Sequence, residues 1–148
     1  MSILAPDDQV VAMLTSGSTA VSGLTAATDA DPPFGGNVIK GPVREAGIEQ
    51  SVWVMSHGGP EHSRLYGGQD WRKSVVQVRI RSDHYHYTDG IALARAVRDA
   101  LHCPSSPPTG YVLIRVREPE PNYISTDQEQ QHHWSLNVEM IQIIAAPV

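Results

Sequence analysis

The stretch WRKSVVQVRIRSDHYHYTDGIALARAVRDALHCPSSPPTGYVLIRVR, Trp71 to Arg117, decides the fold. Val76, Val78 and Ile80 alternate with Gln77, Arg79 and Arg81, the period of a strand with one covered face over Trp71–Arg81. Ser82 and Asp83 end that run. Thr88 is expected to cap a helix from about Asp89 to Leu101, with the Asp89 carboxylate at the positive end of the dipole. Ile91, Ala94, Val97 and Leu101 make its apolar stripe, and Arg95, Arg98 and Asp99 its wet side. The segment CPSSPPTG stops the helix. YVLIRVR (Tyr111–Arg117) is a second strand, with Val112, Ile114 and Val116 on one face and Arg115 and Arg117 on the other.

Working outward, EPEPNYISTDQEQ reads as a polar connection, and Glu118, Glu120, Asp127 and Glu129 in it read as solvated. HHWSLNVEMIQII (His132–Ile144) is the last strand. Trp134, Leu136, Val138 and Met140 point inward and Ser135, Asn137 and Glu139 outward; Ile141 and Ile143 break the polar face at the far end. Upstream, Pro6, Asp7 and Asp8 start a short helix carrying Val10, Val11 and Leu14 and ending near Ser16, although Val21 and Leu24 could extend it. Residues 1–30 are thus a helix and a weakly patterned segment. DADPPFGG (Asp29–Gly36) is a turn by composition, NVIKGPVR a short strand candidate, and SVWVMS (Ser51–Ser56) a better one. HGGPEHSRLYGGQD (residues 57–70) reads as a flexible or Ω-type loop.

The expected architecture is one domain over residues 1–148, of the α/β (α+β) class. A mixed, mostly antiparallel sheet of about four to five strands carries helices on one face. The helical connection permits a parallel, right-handed pair, and the last two strands run antiparallel. The other face is expected to be wet and to bear Arg79, Arg81, Arg115, Arg117 and Glu139.

A chain of 148 residues can bury a real core. Its net charge of −5 argues against holding DNA on a basic face, though not against a surface that DNA slides past. Cys103 is the single cysteine, so no internal disulfide or CxxC pair exists. No apolar run approaches the ~20 residues of a membrane span, and the N-terminus lacks the basic start of a secretory signal. The cytoplasm is the expected place of synthesis and assembly.

Seven histidines invite a metal reading: His84 and His86 form an HxH, His132 and His133 are adjacent, and Asp83 or Asp89 could add a carboxylate. Zinc needs three or four ligands converging at ~2.0–2.1 Å, and no HExxH-type spacing links these residues. A hydrolytic triad, a GxSxG elbow, a P-loop and a GxGxxG turn are all missing from the sequence as motifs. No catalytic residue, cofactor or metal ligand is therefore assigned. Three readings of the arginines stay open. They could form a solvated face crossed by ion pairs to Glu139, a charged subunit interface, or, least supported, a nucleic-acid surface.

The run SVVQVRIRSDHYHYTDGIALARAVRDAL, followed by YVLIRVREPEPNYISTDQEQQHHWSLNVEMI, resembles the tail terminator (minor capsid, neck) proteins of long-tailed bacteriophages. In that family a "vqvrvRs" strand precedes an aspartate–tyrosine turn and a helix ending "vr.aL". A later strand begins with an aromatic residue and carries the asparagine of "slNv". The resemblance covers residues 67–144, about half the chain; the N-terminal half departs from it. It implies a non-enzymatic virion protein forming a ring, a hexamer in this family, on the end of the tail tube. The implied partners are other copies of the chain, the major tail tube protein and the head-completion or connector protein, with DNA passing through the lumen. Arg79, Arg81, Arg115, Arg117 and Glu139 would then be subunit or tube contacts, and His57, His62, Arg64, Tyr66 and Asp70 would lie in a docking loop. A head-completion or connector protein is the alternative within this class. A small metal-dependent enzyme using His84, His86, His132 and His133 is the alternative outside it.

Overall fold

In the computed structural model, the alternating run at the centre of the chain becomes the longest strand of a sheet. The structure describes residues 4–28, 34–43, 50–56, 61–64, 69–127 and 130–145. Strand β4 (Gln69–His84) pairs antiparallel with β7 (Gln131–Ala145) along nearly its whole length. The register sets Val76 against Val138, Val78 against Leu136 and Ile80 against Trp134, and all six side chains are buried. Each β-branched or bulky residue thus meets another on the same side, the unit from which sheet stability is built.

Two shorter strands flank each side of this ribbon, end to end. β2 (Ser51–Ser56) and β3 (Glu61–Arg64) both run antiparallel along β4. β5 (Tyr111–Val116) and β6 (Asn122–Thr126) both run antiparallel along β7. A short β1 (Val38–Lys40) lies parallel to β2. The result is a single α+β domain whose mixed sheet has seven strands among the described residues, with helices on one face. That class and layering are as expected from the sequence. The strand number is higher because β3 and β6 (EHSR and NYIST) are short and polar; they form strands because β4 and β7 extend far enough to offer them an edge. Glu61–Arg64, Gln69 and Asp70 are therefore strand, not loop.

Since β7 is antiparallel to both β4 and β5, those two strands run parallel with β7 inserted between them. The helical connection is thus a split crossover. Helix α2 (Tyr87–Leu101) starts earlier than its composition suggests: His86 occupies the N-cap position, Thr88 lies inside the first turn, and no side chain caps the end. It buries Gly90, Ala94, Val97 and Leu101. Helix α1 (Pro6–Thr15) buries Gln9, Val10, Met13 and Leu14. A 3-10 turn at Gly17–Thr19 breaks the chain before Val21 and Leu24, which pack on the core outside any helix. Gly90 lies so close to the sheet that a Cβ there would meet Ser82 Cβ and the Trp134 ring at 2.6 Å. Glycine at this point sets the depth of α2.

Two irregularities re-aim side chains. Between Arg81 and His84 the ladder slips, and the Ser82 hydroxyl accepts the His132 N–H at 2.8 Å in place of a backbone partner. Between Tyr111 and Leu113 a second slip turns Val112 out to solvent and Tyr111 into the core. This reverses the expected orientation of Val112. The Tyr111 hydroxyl donates to Leu4 O at 2.7 Å, tying the N-terminal segment to β5. Burial, with the nearby charges of Asp7 and Asp8, pushes the Tyr111 phenol up to about 12.

Candidate functional site: the charged face of the sheet

The side of the sheet away from the helices carries Arg79, Arg81, Arg115 and Arg117, but it is not uniformly wet. Parity along β4 puts Arg79 and Arg81 there, and the registers bring Trp53 and Ser135 beside Arg79, and Ser51 and His133 beside Arg81. Trp53, Ile39, Val75, Ser51, Ser135 and His133 are all buried. Arg81 is 1% exposed, its guanidinium 5.7 Å from the Trp53 ring centroid. Burial lowers its pKa, and the charge of Asp127 opposes that shift. The expectation of an outward-facing Arg81 is thereby corrected: Trp53, Ile39 and Val75 give this side an apolar layer, and Arg81 is packed into it.

At the other end of the face lies a compact ion cluster. Glu139 on β7 accepts hydrogen bonds from Arg115 Nε at 2.7 Å and Arg117 Nε at 2.6 Å, with Lys73 Nζ at 3.6 Å. Its side chain is 8% exposed, whereas those of Arg115 and Arg117 are 52% and 46% exposed. Burial pushes the carboxyl up. The two arginine hydrogen bonds and the charges of Arg115 and Lys73 outweigh that and hold it down at about 2. Among the described side chains, one ionised carboxylate thus faces three cations. Lys73 was not legible as a member, because it lies outside the clean alternation of β4.

Arg79 lies between these two groups. It makes no ion pair among the described residues, and its buried Nε has no hydrogen-bond partner. The structure therefore separates the four arginines. Arg81 is interior, Arg115 and Arg117 anchor on Glu139, and Arg79 has no counter-charge among the described residues.

The connecting acids are more structured than their composition implied. Both carboxylate oxygens of Glu118 accept from Asn137, its backbone N–H at 2.9 Å and its side-chain amide at 2.7 Å. The Glu118 carbonyl also accepts from Arg98 Nε at 2.9 Å. This pin ties the Pro-containing link to β7 and α2. Asp127 accepts from the Gln131 N–H at 3.0 Å and lies 2.9 Å from His133 Nε2. Glu120 pairs with Arg95 at the surface, and Glu129 lies outside the described residues.

The histidines with described side chains do not converge, and the side chain of His84 lies outside the described part. His132 and His133 point to opposite sides of β7. His132 Nδ1 contacts the Tyr123 hydroxyl at 3.0 Å, while buried His133 faces Asp127. His86 Nδ1 is 3.8 Å from Asp89. Among the described residues no three His, Cys, Asp or Glu side chains could share a metal ion. The proposed docking loop is described in part: His62 pairs with Arg72 and Arg64 with Asp70 in the β3–β4 ladder, and His57 and Tyr66 lie outside the described residues.

Sequence reading missed a ring cluster on the helix side. Tyr87, Tyr123, His132 and Trp134 pack with centroids 5.3–6.1 Å apart. The aromatic content of Tyr87 and Tyr123 was visible, but their meeting needs β6 to lie on β7. No family model and no curated protein sequence matches this chain.

Proposed function

We propose that this chain is a non-enzymatic virion subunit, a tail terminator that closes into a ring on a phage tail tube and offers a joining surface to the head. The observation that supports the reading is the ion cluster on the sheet: Lys73, Arg115 and Arg117 around Glu139, the one carboxylate of the cluster among the described side chains, on a chain of net charge −5. In this reading the cationic cluster on one copy meets a patch of opposite charge on the next copy of the same acidic chain. Such patches meet head to tail, the heterologous contact a ring requires. Two further features support it. The segments that resemble the family, β4, α2, β5 and β7, form one continuous scaffold. Asn137 of the family pattern also secures the link between β5 and β6 through Glu118.

In this reading Arg115 and Arg117 are held in place by Glu139 and turn their remaining N–H groups toward a neighbouring copy or the tube. The acidic balance elsewhere suits a lumen through which DNA passes without adhering. The partners are other copies of the chain, the tail tube protein and the head-completion protein, in the virion neck. Mass measurement in solution, with and without purified tail tubes, tests this. A ring-sized oligomer, or a monomer that assembles on tubes, is expected, and charge reversal of Arg115 and Arg117 together should abolish it while the fold persists. A strictly monomeric protein that ignores tubes would sink the reading.

A further inference from the structure

The sheet's edges are treated unequally. The outer edge of β1 is covered: Ala27 N–H donates to Val38 O at 2.9 Å, and Val38 N–H donates to Thr25 O at 3.0 Å. The outer edge of β5 is covered as well, since Cys103 N–H donates to Ile114 O at 2.9 Å and Val116 N–H to His102 Nδ1 at 3.1 Å. β6 is different. It pairs with β7 on one side, and no backbone hydrogen bond reaches its other side among the described residues.

All five residues of β6, Asn122 to Thr126, are exposed, and none is charged or a proline. Natural edge strands are blunted by charge, proline, a bulge or a covering segment. β6 has only a slip at Ile124, which falls between the paired residues Tyr123 and Ser125. Beside it the ring of Tyr87 lies 6.0 Å from that of Tyr123, and Tyr85 is 76% exposed. Tyr85, His86, Tyr87, Thr88 and Asp89 line an open cleft of about 230 Å³. The Asp89 side chain is 79% exposed and has His86 at 3.8 Å as its contact.

We infer that β6 and this cleft form a docking site for an extended strand of another protein, with a Lys or Arg side chain of that strand entering the cleft. A row of free N–H and C=O groups is matched by an extended backbone and by little else. Aromatic walls with a carboxylate at the rim select a cation. Charge complementarity favours the same occupant, because the lining of the cleft includes the carboxylate of Asp89 and, among the described residues, no Lys or Arg. This site lies apart from the Glu139 cluster, so it stands whether or not the chain forms a ring.

The test uses the intact chain and short blocked peptides of alternating Thr and Val, one with a central Lys and one with a central Glu, followed by fluorescence anisotropy. The Lys peptide should bind about tenfold or more tighter than the Glu peptide, a difference of ~1.4 kcal/mol. Methylating alternate backbone nitrogens of the Lys peptide should abolish binding, since it removes the strand's donors and leaves the protein untouched. Asp89→Asn should erase the preference for Lys, and Ile124→Lys should weaken both peptides. Failure of the Lys peptide to bind, equal binding of the methylated or Glu peptide, or indifference to both substitutions would overturn the proposal. So would a concentration-dependent dimer that Ile124→Lys dissolves, because the edge would then belong to a second copy of this chain.

Discussion

Replacing Glu139 by Gln keeps the side chain's shape and removes the charge around which Arg115, Arg117 and Lys73 are arranged. The carboxyl sits at about 2 against an ordinary 4.5, and at about 1.36 kcal/mol per pKa unit this corresponds to roughly 3 kcal/mol as an upper bound. Arg115 and Arg117 are about half exposed, so solvent and salt screen the interaction, and about 1–2 kcal/mol is the expected loss at neutral pH. In a chain of this size that is a fall in Tm of about 3–8 °C. The pH dependence carries the sign. Because the folded pKa is depressed, the stabilisation is fully present above the unfolded value near 4.5 and is lost as pH falls toward about 2. Urea unfolding of both proteins across pH 7 to 2 makes the comparison, since other carboxylates titrate alike in each. The difference between them should be largest at neutral pH and should close through that window. An unchanged gap at pH 2, or no gap at pH 7, would refute the account of the cluster.

Gly90→Ala should destabilise by about 1–3 kcal/mol despite the higher helix propensity of alanine, because its Cβ would meet Ser82 and the Trp134 ring; thermal melting reads this, and a raised Tm would contradict the packing. Tyr111→Phe should cost about 1 kcal/mol through loss of the hydrogen bond to Leu4 O, read by urea unfolding. In the parent protein ultraviolet titration should show one tyrosine ionising late, near 12. Its raised pKa means that stability is intact below the ordinary value near 10 and declines as pH rises toward about 12.

Much of the scaffold was legible because single residues repeat with a clear period. Val76, Val78 and Ile80, and then Trp134, Leu136, Val138 and Met140, are all fully buried as their alternation requires. The α2 stripe through Ala94, Val97 and Leu101 is equally faithful, and α1 ends at Thr15, one residue before the expected stop. The strands EHSR and NYIST are short and polar and carry no such period, and NYIST is exposed throughout. Val112 misled because one slipped residue inverts every orientation before it, and a slip is set by the partner strand rather than by local composition.

The arginines show the same division. Alternation by itself placed Arg79, Arg81, Arg115 and Arg117 on the side of the sheet opposite the core, and net charge by itself made the chain acidic. What each arginine does depends on its neighbour across the ladder, which is a matter of strand order and register. Insertion of β7 between β4 and β5 delivers Glu139 to Arg115 and Arg117. The pairing of β2 with β4 sets Trp53 beside Arg79 and under the guanidinium of Arg81. Residues distant in sequence become neighbours here through hydrogen bonds between strands, and those contacts decide whether an arginine is buried or paired with a carboxylate.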